Sequence, residues 1–134
     1  LTPPDAARSR LMRQVRREHT APERAVRAFL HSQGLRFRLH PADLPGRPDL
    51  VLPARHTAVF VHGCFWHGHD CRHGAVAARR NADFWNAKIA ANRARDARKA
   101  AALEALGWQV EVVWECQVRD ARLLGRLARR LLAR

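Results

Sequence analysis

The chain has 134 residues, about one domain, and its 25 Lys and Arg outnumber 12 Asp and Glu to leave a formal net charge of +13. With 47% apolar residues it can bury a modest core, which excludes a disordered basic tail, and it contains nothing like the apolar run of about 20 residues that a membrane span needs. A positive excess made almost wholly of arginine calls for a polyanionic partner, because neutralising phosphates releases counterions and gives binding without sequence information. Nucleic acid fits that description first, an anionic membrane surface second. Residues 1–10 hold no hydrophobic signal-peptide core, so a cytoplasmic location is expected rather than export. Three cysteines, an odd count, argue against a disulfide framework and ask whether Cys64, Cys71 and Cys116 hold a metal.

No repeat and no long linker divides the chain, so a single domain spanning 1–134 is expected, with 1–18 as a basic N-terminal arm. After a loose end, residues 6–18 read as a helix whose apolar positions Leu11, Met12 and Val15 sit among Arg8, Arg10, Arg13, Arg16 and Arg17. A second helix is signalled by the capping-box spacing of Thr20 and Glu23, by Pro22 in its first turn, by Val26, Phe29 and Leu30 on one face, and by Gly34 as its stop. Residues 35–39 alternate like a half-buried strand, and 41–48 form a loop of turn residues. Two neighbouring strands follow at 49–52 and 57–61, with Asp49 opening the first and His62 just past the end of the second. Residues 63–78 are too polar for core. Asn81 or Asp83 can cap a long helix that reaches Leu106 and closes at Gly107, and 108–114 is the next strand. A last helix from about Asp120 gathers Leu123, Leu124, Leu127 and Leu131 on one side. The order α α β β β α β α with central strands is that of a mixed α/β domain.

Three constellations carry chemistry. In the string His62-Gly-Cys-Phe-Trp-His-Gly-His-Asp-Cys71, Cys64 and Cys71 supply two sulfurs, and Cys116 a third from the end of the last strand. Zinc takes four such ligands at tetrahedral angles, the fourth here being His67 or His69, with His73 a lesser choice; the alternative is three buried thiols beside solvent-facing histidines. Asp49, at the mouth of a strand, is placed to hold a hydrated divalent cation over a phosphate, although an Asp beside Pro48 also serves as a turn residue. Glu23 is explained equally by its cap. Phe65, Trp66 and Trp85 form either an apolar wedge that stacks on bases or a satellite core over the zinc, and Met12 shares that ambiguity with ordinary helix packing.

Taken together, Leu44-Pro-Gly-Arg-Pro-Asp49, Val61-His-Gly-Cys-Phe-Trp-His67, Phe84-Trp85, Leu106-Gly-Trp108 and Trp114-Glu-Cys116 resemble the very short patch repair (Vsr) endonucleases, from about Arg8 to Arg119. The resemblance implies a fold similar to type II restriction endonucleases of the PD-(D/E)xK type, a structural zinc, and Mg²⁺-dependent nicking of one DNA strand 5′ of the thymine in a T·G mismatch. It further implies Asp49 as a metal-binding aspartate, with His62 and His67 as active-site histidines. Glu23 then lies near the active site, and Cys64, His69, Cys71 and Cys116 make up the zinc set. Phe65, Trp66 and Trp85 become a wedge from the major-groove side, with Met12 entering from the minor groove. A restriction-type site places an acidic residue and a lysine two apart on the second strand, where this chain has Phe60-Val61-His62. The family's own variation puts a backbone carbonyl there, here that of Val61, beside Asp49 on the Mg²⁺.

The resulting expectation is an endonuclease in which His67 deprotonates water, His62 serves the phosphate or leaving oxygen, and the basic helices hold the backbone. Its partner is mismatched double-stranded DNA, with no membrane; it is a monomer in the bacterial cytoplasm at the nucleoid, with mismatch-repair proteins as further partners. A non-catalytic zinc-stabilised nucleic-acid-binding module explains charge, zinc and aromatics equally, but not Asp49, His62 and His67 together. A zinc base deaminase lacks its His-x-Glu and Pro-Cys-x-x-Cys arrangement here.

Overall fold

The computed structural model describes residues 20–64, 69 and 82–134. Its elements run α1 (Ala21–Ser32), β1 (Arg38–Leu39), β2 (Leu50–Leu52), β3 (Thr57–His62), α2 (Ala82–Ala105), β4 (Gln109–Trp114) and α3 (Ala121–Leu132). Each of α1 and α3 starts on a side chain that satisfies free helical N–H groups: the Thr20 hydroxyl accepts from Glu23 N, and the Asp120 carboxylate from Arg122 N and Leu123 N. Gly34 and Gly107 follow the ends of α1 and α2 with positive φ, as their places in the sequence predict.

The four strands form one mixed sheet in the order β1-β2-β3-β4, antiparallel up to β3 and parallel between β3 and β4. A parallel neighbour needs a long crossover, and α2 lies within it. Because successive strand residues face opposite ways, the sheet divides its apolar side chains between two layers. Leu50, Leu52, Val59 and Val113 pack with Val26 and Leu30 of α1 and Leu124, Leu127 and Leu131 of α3. Val51, Ala58 and Phe60 pack with Leu103 of α2. The result is three layers, helix on sheet on helix. Among the described residues no helix is long and apolar enough to cross a membrane.

Several expectations are corrected in detail. The strand read over 35–39 shortens to Arg38–Leu39, because Leu35 still returns its N–H to the Leu30 carbonyl at 3.1 Å and buries its side chain in the α1–α3 core. The ladder therefore starts only at Arg38, opposite Val51. His62 is the last residue of β3 rather than past its end, since the parallel register carries on to pair it with Trp114. Asp83 lies inside α2, which begins at Ala82, so it is not the cap. Asn81 and the basic helix read over 6–18 lie outside the described residues.

The loop that delivers Asp49 is fastened to α2 through Gly46. At φ +75 this residue occupies backbone space that side chains rarely allow, and a Cβ there would sit 2.7 Å from Lys99 Cβ. Gly46→Ala is expected to destabilise the fold by about 1–3 kcal/mol, read as a lowered urea midpoint; an unchanged midpoint would show that this loop is not held where α2 meets it.

Candidate functional site

The register of the sheet gathers the chemically capable side chains at one end. Continuing the β1–β2 ladder by one step from Leu39↔Leu50 sets His40 opposite Asp49, and the His40 N–H donates to the Asp49 carbonyl at 3.1 Å. Asp49 then reaches across to the next strand, where Oδ2 accepts from the Val61 N–H at 2.6 Å. From the layer above, α1 lowers Glu23, which is only 3% exposed. Its Oε2 meets Arg27 Nη2 at 3.1 Å, one turn along the same helix, and His40 Nε2 at 3.2 Å. Ligand atoms of Glu23, His40 and Asp49 all lie within 4.8 Å of one another.

Electrostatics strain this cluster. Burial penalises the charged carboxylate of Asp49; against this the Val61 N–H favours it, while the neighbouring Glu23 disfavours it and His40 helps it, so the pKa is raised from 3.8 to about 6. Two carboxylates facing each other out of water are a poor arrangement for a protein alone and a good one around a dication, which removes the repulsion and takes oxygen ligands. The donor set fits a divalent metal.

A second cluster arises from the parallel pairing. Since His62 pairs with Trp114, residues two steps beyond each strand, Cys64 and Cys116, leave the sheet side by side. His69 joins them: its N–H donates to the Cys64 carbonyl at 2.9 Å, its ring stacks on Trp114 at 4.2 Å, and its Nδ1 lies 3.5 Å from Cys116 Sγ. A sulfur about 2.3 Å and a nitrogen about 2.0 Å from one zinc at the tetrahedral angle are themselves about 3.5 Å apart. Cys64 is buried and its N–H donates to Glu115 Oε1. Thiolates and imidazole within 4.8 Å of one another suit zinc far better than magnesium.

Not every expected residue joins these clusters. His62, 7% exposed, turns to the α2 face with Phe60, sets its Nε2 4.0 Å from Asp96 Oδ1, and packs edge-on against Trp114. It lines a cavity of about 420 Å³ together with Arg93, Asp96 and Val112. Glu23 comes from the opposite layer. Trp85, read as part of a wedge or of a satellite core, is 2% exposed here and packed edge-on against Phe84. An amphipathic reading misses this because α2 has almost no sided pattern of its own. Met12, Phe65, Trp66, His67 and Cys71 lie outside the described residues. Sequence reasoning passed over His40, whose link to Glu23 exists only through the β1–β2 register; a His-Pro step at a strand end was the sole local signal. Exposed Lys88, Arg93, Arg95 and Arg98 on α2 and Arg122, Arg126 and Arg129 on α3 offer cations to a polyanion.

Fold and site define a mixed α/β protein with a partly buried carboxylate–imidazole cluster and a cysteine–imidazole cluster at one end of its sheet. A family model described as DNA mismatch endonuclease Vsr matches residues 3–73, more than half of the chain, and the chain belongs to this family. It is 60% identical over 121 residues to the type II nicking enzyme V.XorIIP of Xanthomonas oryzae, covering 90% of this chain and 86% of that protein. It is 46% identical over 119 residues to the DNA mismatch endonuclease Vsr of Escherichia coli, covering 89% and 76%. The type II nicking enzyme V.NmeAIP of Neisseria meningitidis is 41% identical over 128 residues, covering 92% and 91%.

Two outcomes follow from the geometry. Because the folded state keeps the Asp49 proton up to about pH 6 while the unfolded chain releases it near 3.8, this group's contribution to stability is full below 3.8 and is lost as pH rises through 6. Without added divalent cation, Asp49→Asn is therefore expected to melt above the wild type at pH 7.5, by at most ~3 kcal/mol, with the gap closing toward pH 4. Elemental analysis of protein purified without chelator is expected to give one zinc per chain, and Cys116→Ser to lose it together with thermal stability, since ligation adds directly to folding free energy.

Proposed function

We propose that this protein is a DNA endonuclease that nicks one strand of a duplex 5′ of the thymine in a T·G mismatch, acting as a cytoplasmic monomer with a restriction-endonuclease-like fold. The observation that carries this reading is the pairing of buried Glu23 with half-buried Asp49 at the end of β3, in a chain of the mismatch-endonuclease family.

Asp49, with the Val61 carbonyl, holds a hydrated Mg²⁺ in this reading, and Glu23 shapes its outer side. When bound, such an ion neutralises charge on the scissile phosphate and eases ionisation of the attacking water. His67 takes the proton from that water, an imidazole being basic enough at neutral pH to accept it and acidic enough to return it. His62 serves the phosphate or the leaving oxygen, its ring held by Trp114 and faced by Asp96. Cys64, His69, Cys71 and Cys116 hold the zinc that pins the loop after β3. The arginines of the N-terminal arm, α2 and α3 grip the phosphates and fix the register of the duplex without reading it.

Choice of a mismatch then needs a contribution that differs between paired and mispaired steps, and the cost of unstacking supplies one. Phe65, Trp66 and Trp85 form the wedge in this reading, Trp85 leaving its packed place beside Phe84 to insert, and Met12 enters from the other groove. A purely binding role for the zinc-stabilised domain gives no reason to bury Asp49 beside Glu23 at a cost in stability.

The test is strand-specific cleavage of mismatched duplexes. Wild-type protein is expected to nick T·G substrate with Mg²⁺ and to stop in EDTA. Asp49→Ala should lower the rate on the order of 10³-fold, the kinetic equivalent of several kcal/mol, with zinc content and DNA affinity kept. Nicking by Asp49→Ala at the wild-type rate would remove this reading.

A further inference from the structure

We propose that His40 is a third protein ligand at the Glu23–Asp49 site, so that the site prefers a first-row transition ion such as Mn²⁺ over Mg²⁺. This rests on the reading of that site as the metal centre of an endonuclease, and it adds a residue and an ion preference that the carboxylate and carbonyl set alone does not carry. An all-oxygen site of one or two carboxylates and waters suits Mg²⁺, which holds its waters tightly. An imidazole nitrogen shifts the balance, because nitrogen ligands gain most from ions along the series that begins at Mn²⁺.

The structure gives His40 the position of a ligand. Its Nε2 is the ring atom that faces Glu23 Oε2, at 3.2 Å, and it falls with the Glu23 and Asp49 oxygens inside one 4.8 Å group. Ligands with bonds of about 2.1 Å to one ion stand about 3 Å apart at right angles and about 4.2 Å apart when opposite, so a group whose members all lie within 4.8 Å closes onto an ion by modest side-chain movement. The side chain is 10% exposed, which keeps it directed at the cluster rather than solvent.

The backbone holds it there as well. His40 adopts φ +41, a left-handed conformation that a residue with a side chain takes only when its surroundings demand it. Its N–H is tied to the Asp49 carbonyl at 3.1 Å, and Pro41 follows. The same bond that pairs the two backbones thus fixes the spacing between the two candidate ligands. Binding an ion places the ring proton on Nδ1 and gives the Nε2 lone pair to the ion, which takes the place of the hydrogen bond between His40 and Glu23.

The experiment uses full-length, zinc-loaded protein with Mn²⁺ as the probe, since thiolates keep zinc in preference to manganese. Calorimetric titration is expected to show Mn²⁺ binding tighter than Mg²⁺. In His40→Gln, Mn²⁺ affinity should fall about 10- to 100-fold, with Mg²⁺ affinity changed far less. Electron spin echo modulation of bound Mn²⁺ should show coupling to an imidazole ¹⁴N that is lost in His40→Gln. Should that variant fail to fold, the anomalous scattering of Mn²⁺ in wild-type crystals decides, with the ion expected within bonding distance of His40 Nε2.

A ¹⁴N coupling that survives His40→Gln assigns the nitrogen to another histidine, such as His62 or His67, and overturns the proposal. So does an Mn²⁺ to Mg²⁺ preference that the folded variant leaves unchanged, or an anomalous peak beyond bonding distance of His40. The two readings fail separately. Mn²⁺ bound at His40 in a protein that nicks no duplex removes the endonuclease and keeps the ligand. Nicking with an ion preference indifferent to His40 does the reverse.

Discussion

A carboxylate kept out of water beside a second carboxylate is the constraint around which the described structure is arranged. Asp49 immediately precedes β2, accepts from the Val61 N–H of β3, passes its carbonyl to the His40 N–H beyond β1 and faces Glu23 of α1. One residue thus ties three strands and a helix. The arrangement is unfavourable on its own terms, since burial and Glu23 both oppose the charge on Asp49. A fold keeps such a group only if the surroundings are stable enough to carry it, and the two apolar layers around the sheet meet that need. A divalent cation would relieve that cost, because the two carboxylates that repel one another would both attract it.

The parallel pairing of β3 with β4 does for the second cluster what the antiparallel pairings do for the first. Six consecutive pairs, from Thr57↔Gln109 to His62↔Trp114, leave no freedom of slip, because a shift by one residue would move every core side chain to the wrong face. Cys64 and Cys116 emerge side by side although 52 positions apart in sequence. Trp114 then gives the His69 ring a flat surface to stack on, which fixes the plane in which its Nδ1 approaches Cys116.

Much of this was legible before any coordinates. Capping residues, glycine stops and the apolar stripes of α1 and α3 are local signals, and the structure follows them at Thr20, Gly34, Gly107 and Asp120. Strand ends were less legible, because they depend on a partner: Leu35 looks like a strand residue until its N–H is found returning to α1. The burial of Trp85 was illegible for a related reason. A helix as uniformly rich in alanine and arginine as α2 carries no stripe to say which side is inward, and burial of a single indole is decided by what the rest of the chain places over it. His40 was invisible because no motif spacing contains it. Its meaning comes from the register that sets it against Asp49 and from a helix that begins 19 residues earlier.

The two clusters also share a backbone. Val61, whose N–H holds Asp49, and Cys64, whose sulfur joins His69 and Cys116, are three residues apart, and the alternation of β3 turns His62 away from Val61 toward Trp114. An ion held by the thiolates and imidazole therefore anchors the end of β3 immediately after the bond that positions Asp49. Loosening that end frees the Val61 N–H to drift, and the buried carboxylate loses the one backbone partner that favours its charge. The Cys64–His69–Cys116 cluster and the Asp49 site therefore share the last residues of β3 as common backbone. Because Val61 is also paired to Val113 in the sheet, the bond that holds Asp49 is fixed both by the ladder and by whatever the two cysteines and His69 bind just beyond it.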